Sequence, residues 1–183
     1  MKTDIAEEGL SKQGAAYTIC YLSADDVEGV WEYINKLSQE RTYIRFQGEK
    51  ISLEDEEKHI QKKIREISEN KSVVLLLLVD NKVHGICNID LHDRTESHIA
   101  SLGLSVDQTI RGQGLGKKLL HNSIEEAKKK LTGLRIITLE VKQPNTIAIS
   151  LYKKFGFEQY GYLPQGTTHQ DEFVDEVLMY KCV

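Results

Sequence analysis

The apolar positions of this chain change period along its length, and those changes divide it into elements. Residues 1–16 show no hydrophobic period and carry Gly9, Ser11 and Gly14, so a flexible N-terminal tail is expected there. Residues 17–22 form a short β-prone run. Val27, Val30, Trp31, Ile34 and Leu37 then recur at helical spacing behind Ser23, with Asp26 three positions on as the second half of an N-cap pair. A second helix is predicted from Ser52, with Glu54, Asp55, Glu56 and Glu57 at the positive end of its dipole. Its stripe is His59/Ile60, Ile64 and Ile67, and its charged remainder reads as a solvated face. The stretch between these helices, residues 41–50 with Tyr43, Arg45 and Phe46, is either a plain connector or the lining of a cleft.

The middle of the chain is rich in strands. Residues 73–79 are apolar without interruption, Asp80-Asn81-Lys82 is a turn, and residues 83–91 complete a hairpin. A polar turn through Asp93 and Glu96 leads to a strand at residues 99–106, where Leu102, Leu104 and Val106 alternate with Gly103 and Ser105. A glycine inside a strand marks a bulge or a close approach. The clearest helix spans residues 114–131, with a basic last turn (Lys128, Lys129, Lys130) and Gly133 beyond it. Residues 136–141 read as a strand, Pro144 and Asn145 open a shorter helix through Tyr152, and Gly156 closes it. Residues 157–163 and 173–182 are the last strands, joined by a polar loop around residues 165–171. An antiparallel meander before the long helix and a βαβ unit after it point to one α+β or α/β domain on a mixed sheet, over residues 17–183.

Composition narrows the function. The chain has 183 residues, 40% hydrophobic and 28% charged, which suits one compact domain. A net charge of -4 lacks the basic excess that drives phosphate-backbone binding, so nucleic acid is not an expected partner. The longest apolar run is far short of the ~20 residues that cross a bilayer, so no membrane association is expected. Met1 to Asp4 lack the apolar core of a signal peptide. Cys20, Cys87 and Cys182 are widely spaced, which argues against a disulfide framework or a zinc ribbon. The expected compartment is the cytoplasm, with no metal and a monomer or homodimer.

Candidate chemistry lies in Arg111-Gly112-Gln113-Gly114-Leu115-Gly116-Lys117, between a strand and the long helix. Glycines at such a turn let backbone N–H groups converge on an anion. A P-loop would need glycine at 111 and a hydroxyl residue at 118, where the chain has Arg111 and Lys118. A dinucleotide fingerprint would need a third glycine at 117 or 119, occupied by Lys117 and Leu119. A third pattern, Gln/Arg-x-x-Gly-x-Gly/Ala, matches Arg111 to Gly116 in full. A second block, from Asn145 through Ala148, Leu151 and Tyr152 to Gly156-Phe157, fits Asn-x-x-Ala-x-x-Leu-Tyr-x-x-x-Gly-Phe.

With both blocks in this order, the sequence resembles the GNAT superfamily of acetyl-CoA-dependent N-acetyltransferases over roughly residues 17–181. The resemblance implies an α+β fold in α/β/α layers, with a mixed, mostly antiparallel sheet flanked by helices. It implies acetyl-CoA as co-substrate and direct transfer to a primary amine: a small amine, amino acid, polyamine, or peptide or protein amine. The pyrophosphate would bind amides of Gly112, Gln113, Gly114, Leu115, Gly116 and Lys117, with Arg111 and Lys117 adding charge. The pantetheine arm would run beside Leu104, Ser105 and Val106 like an added strand, with Gly103 as a bulge that splays the sheet. Asn145 would hydrogen-bond that arm.

Tyr152 matches the family's acid. A phenol of pKa ~10 can protonate a thiolate whose parent pKa is ~8.5. Taken without its motif, Tyr152 is a core aromatic. An alkyl amine of pKa ~10.4 must lose a proton before it attacks. No carboxylate lies within residues 99–106; His84, Asp90, His92, Glu96 and His98 lie on or near adjoining strands, and none is assigned as base. Cys87 reads as a small buried residue without a His or Asn context, which disfavours a covalent route. Acceptor contacts are implied at residues 43–48 and 165–173. There and just beyond, Asp171, Glu172, Asp175 and Glu176 either favour a cationic amine or are merely solvated. The competing reading is a non-catalytic acyl-CoA-binding module for sensing or scaffolding on the same fold.

Overall fold

The computed structural model describes residues 4–183. Its eight strands form one sheet in the order β1-β2-β3-β4-β5-β6-β8-β7, in which only the β5–β6 neighbours run parallel. The strands are β1 (Ile5–Leu10), β2 (Ala16–Tyr21), β3 (Ser72–Val79), β4 (Lys82–Leu91), β5 (Ile99–Val106), β6 (Ile136–Lys142), β7 (Glu158–His169) and β8 (Glu172–Cys182). Helices α1 (Val27–Gln39) and α2 (Leu53–Ser68) cover one face. Helices α3 (Leu115–Lys130) and α4 (Thr146–Lys154) cover the other. This is the layered, mostly antiparallel α+β architecture expected. No helix among the described residues is long and apolar enough to cross a membrane.

The uninterrupted apolar run of β3 is explained by its two covered faces. Val73, Leu75 and Leu77 pack under α3, while Val74, Leu76 and Leu78 pack with Val30 of α1 and Ile60 of α2. At the hairpin, Asp80 and Asn81 adopt φ of 49° and 59°, the left-handed turn that short polar side chains tolerate, and Lys82 is already in β4. Ser52 caps α2, its Oγ accepting from the Asp55 N–H at 3.1 Å. Ahead of α1 the Ser23/Asp26 pair forms a capping box, in which the Asp26 carboxylate accepts from the Ser23 N–H and Oγ–H, both at 2.8 Å.

Three expectations are corrected. The tail expected over residues 1–16 contains strand β1, paired antiparallel with β2; residues 1–3 lie outside the described residues. β1 has no apolar period of its own because it is fastened by a distant side-chain cluster. Glu7 accepts hydrogen bonds from Tyr17 Oη, from Lys118 Nζ at 2.7 Å and from Asn122 Nδ2 at 2.6 Å. Second, most of the loop expected over residues 165–171 is strand, and the turn narrows to Gln170 and Asp171, with φ of 50° and 66°. β7 is an edge strand with a register slip between Leu163 and Thr167, so its exposed, polar residues carry no alternation to read.

Third, Gly103 is not a bulge. The β4–β5 register runs unbroken from Gly85↔Val106 to Leu91↔Ala100, with Gly103 opposite Asn88. A Cβ at Gly103 would stand 2.5 Å from Asn88 Oδ1, so the glycine makes room for that amide. The sheet still opens here. β5 pairs with β6 only through Ile99–Ile136, Ala100–Ile137 and Ser101–Thr138, and beyond Ser101 the two strands part.

The fastening of β1 gives a first prediction. Burial alone would raise the Glu7 carboxyl, but hydrogen bonds from Lys118, Tyr17 and Asn122, with the Lys118 charge, hold it down to about 2. A depressed folded-state pKa contributes stability that is complete above the usual value of 4.5 and is lost as pH falls towards about 2. Glu7→Gln is therefore expected to cost about 1–2 kcal/mol at pH 7. In paired thermal melts the wild-type advantage should shrink below pH 4.5 and vanish near pH 2; an advantage independent of pH contradicts the charged clamp.

Candidate active site

A cavity of about 2050 Å³ opens where β5 and β6 part. Its wall includes ten of the twelve residues singled out in the sequence: Leu104, Ser105, Val106, Arg111, Gly112, Gly114, Gly116, Lys117, Asn145 and Tyr152. Gln113 and Leu115 are not on it. Leu115 is buried in the core under α3, and Gln113 is buried with its Nε2 3.5 Å from the Thr109 carbonyl. These two belong to the loop through backbone alone.

The loop is shaped by glycine. Gly112 and Gly114 adopt φ of 77° and 82°, which side-chain-bearing residues rarely take. Gly114 stands at the N-cap of α3, no side chain caps that helix, and its first turn carries no acid. Its leading N–H groups are thus left for an anion, at the positive end of the dipole. Gly116 lets this turn settle on the end of β5; a Cβ there would be 3.3 Å from Val106 Cγ2.

The cations divide into braces and free groups. Arg111 donates its Nε–H to the Val106 carbonyl at 2.8 Å and pairs with the buried Glu40 carboxylate at 2.6 Å, so it ties the loop to the end of α1. Its charge is matched internally rather than presented to a ligand. Lys117 is exposed and has no partner among the described residues. A further lysine was invisible to the sequence reading because it lies in the supposed tail. Lys12, in the β1–β2 turn, lines the cavity and donates its backbone N–H to the Gln113 carbonyl at 3.3 Å.

On the far side of the gap, Asn145 caps α4, its Oδ1 accepting from the Ala148 N–H at 3.2 Å. The capping bond uses the side-chain oxygen and leaves the Nδ2 group for a ligand. Tyr152, only 6% exposed, is both a core residue and part of the cavity wall, with its ring edge-on to Phe157 at 5.7 Å between centroids. Its hydroxyl has no hydrogen-bond partner among the described residues. Burial, with a smaller effect from Cys87, holds its pKa above the usual value, so it stays a neutral phenol at physiological pH.

His59 and His169 line the cavity, but the groups named from the sequence mostly do not. His84, His92, Glu96 and His98 are not on the cavity wall. Asp90 is, but it accepts from Ser72 Oγ at 2.5 Å and Asn88 Nδ2 at 2.6 Å and pairs with Lys63 at 2.9 Å. Glu40 is held by Arg111, and Asp55 by the Ser52 hydroxyl at 2.7 Å. Two cavity carboxylates have no side-chain partner among the described residues: Glu56, buried on α2, and Glu140, exposed on β6 beside the gap. Neither stood out in the sequence as a candidate base. Cys87 is fully buried and its thiol is pushed up to about 12, chiefly by burial, which keeps it from acting as a nucleophile.

The two expected acceptor segments meet. Tyr43 stacks against His169 at 4.5 Å, Arg41 pairs with Asp171 at 2.9 Å, and Tyr43, His169 and Gln170 all line the cavity. The connector is therefore cleft lining. The acidic residues Asp171, Glu172, Asp175 and Glu176 are off the wall of this cavity.

The site thus joins a parted mixed sheet, an uncapped glycine loop and a neutral phenol on one cavity. Comparison with known proteins makes the class specific. The model of the acetyltransferase (GNAT) family matches residues 31–157. The L-amino acid N-acetyltransferase AaaT of Escherichia coli K12 is 34% identical over 106 residues, 57% of this chain and 65% of its own length. The [ribosomal protein bS18]-alanine N-acetyltransferase of Salmonella typhimurium is 26% identical over 167 residues, 86% of this chain and 94% of its own. The crystal structure of a GNAT-family acetyltransferase from Streptococcus pneumoniae superposes with a TM-score of 0.83 at 28% identity, covering 91% of this chain and 99% of that one. The chain belongs to the acetyltransferase (GNAT) family.

Proposed function

We propose that the protein moves an acetyl group from acetyl-CoA to the primary amine of an acceptor by direct attack on the thioester. The observation that carries this reading is the meeting, on one cavity wall, of the parted β5 edge, the glycines of the 112–116 loop and Tyr152. The loop amides and the dipole of α3 hold the pyrophosphate, and the β5 edge from Leu104 to Val106, which β6 leaves unpaired and of which Arg111 engages the Val106 carbonyl, pairs with the pantetheine arm. Tyr152 gives its proton to the departing thiolate. Glu140, on the strand that borders the gap, takes the proton of the acceptor ammonium. Of the two unengaged carboxylates it is preferred because Glu56 continues the buried stripe of α2 with Ile60.

The acceptor we propose is the amine of an amino-acid unit, free or at the end of a protein. Both curated relatives described above are named for such transfers. A non-catalytic binding module has no use for an unpartnered phenol across the gap from the loop, which favours the enzyme. Glu140→Gln tests the base: kcat/KM for the acceptor is expected to fall by about 10²-fold with affinity for acetyl-CoA retained. Unchanged kcat/KM would remove Glu140 from the role.

A further inference from the structure

We propose that Lys12 of the β1–β2 turn grips the pyrophosphate of the coenzyme, a contact supplied from outside the family-matched residues 31–157. This rests on the acetyl-CoA reading above. Three independent placements bring the lysine there. Its backbone N–H is bonded to the Gln113 carbonyl at 3.3 Å, inside the glycine loop. Its aliphatic stem crosses Gly114, with Cε 3.2 Å from where a Cβ on that glycine would stand. The residue lines the same cavity as the loop.

The ammonium is available, as is that of Lys117, whereas the other cations around the loop are engaged. Arg111 is paired with Glu40, Lys118 with Glu7 and Lys36 with Asp107, whereas Lys12 has no acidic partner among the described residues. The turn that carries it is fixed at both ends. Ser11 Oγ accepts from the Gln13 and Ala15 N–H groups at 3.2 and 3.1 Å, and β1 is fastened to α3 through Glu7. A lysine usually loses much side-chain freedom when it binds a phosphate; one whose stem already lies across Gly114 loses less. The uncapped amides of α3 and this cation then approach the pyrophosphate from two directions, through charge-assisted hydrogen bonds. The same geometry explains Gly114 twice over: the loop needs its positive φ, and the lysine stem needs its missing side chain.

Calorimetric titration of Lys12→Ala and wild type with acetyl-CoA tests this, since alanine preserves the backbone bond to Gln113 and thermal melts verify the fold. Affinity is expected to fall about tenfold, with a shallower dependence on salt, and Lys12→Arg should restore most of it. The ratio should persist with dephospho-CoA, which keeps the pyrophosphate, and disappear with S-acetyl-pantetheine, which lacks it. Equal affinities for acetyl-CoA, or a ratio that persists with S-acetyl-pantetheine, overturn the proposal. A ratio lost with dephospho-CoA overturns the pyrophosphate assignment in favour of the 3′-phosphate. Wild type that fails to bind acetyl-CoA at all would instead sink the cofactor reading on which the proposal rests.

Discussion

Tyr152→Phe is expected to lower kcat by about 10²- to 10⁴-fold while leaving the affinity for acetyl-CoA within about twofold. The change removes one atom group, the hydroxyl, which we propose protonates the leaving thiolate. Its ring packs edge-on to Phe157 in the α3–α4 core, and phenylalanine fills the same volume. Because the hydroxyl has no hydrogen-bond partner among the described residues, its loss leaves no buried group unsatisfied. Stability should therefore change little, and a kinetic loss can be read as chemistry rather than unfolding. Steady-state rates with equilibrium binding on the same preparations decide it. Wild-type turnover in the variant would return Tyr152 to the status of a core aromatic.

Gly114→Glu should weaken acetyl-CoA binding by more than about 100-fold. Three effects add at this position. A side-chain-bearing residue at φ 82° is strained, by about 1–3 kcal/mol. Its Cβ would press on Lys12 Cε at 3.2 Å. Its carboxylate would compete for the leading amides of α3 and repel the pyrophosphate. Gly114→Ala separates them, since it keeps the strain and contact without the charge, and its loss of affinity should be clearly smaller. If the glutamate variant binds as tightly as wild type, the phosphate does not rest on this loop.

How much of this was legible in the sequence depended on whether a feature is local. Helix α3 was legible because Leu119, Leu120, Ile124 and Ala127 repeat at the helical period and all are buried. The β3–β4 hairpin was legible because Asp80-Asn81 supplies its own turn chemistry. The glycine loop and the Asn145–Phe157 block could be paired because each is contiguous and contributes largely through backbone geometry. β1 was missed because what holds it, Glu7 against Lys118 and Asn122, spans more than a hundred residues of chain. The strand character of Thr167 and Thr168 was missed because edge strand β7 buries little of either face and takes its partner from β8.

The site divides in the same way. Tyr152 was found through its motif, whereas Lys12, Glu56 and Glu140 enter the cavity only through tertiary placement. Gly103 shows the converse error. Its position in the opening sheet was anticipated, but its reason is the Asn88 amide across the ladder rather than a bulge. Of the two readings of the acidic run at the end of the chain, the structure favours charges that do not line the cavity. Asp171 is paired with Arg41, and Asp175 accepts from the Gln165 N–H at 2.8 Å and from the Tyr162 hydroxyl. Charge counted along a sequence does not say which carboxylates are already satisfied.

The most direct test of the central claim is thiol release from acetyl-CoA in the presence of a panel of free amino acids, small amines, polyamines and peptides with a free N-terminus. Acetyl transfer to an amino-acid amine requires release that depends on amino acids or such peptides, with the acetylated amine recovered in the product. Silence across the whole panel, with acetyl-CoA demonstrably bound, would contradict transfer to these amines and point to a protein that holds the coenzyme without turning it over.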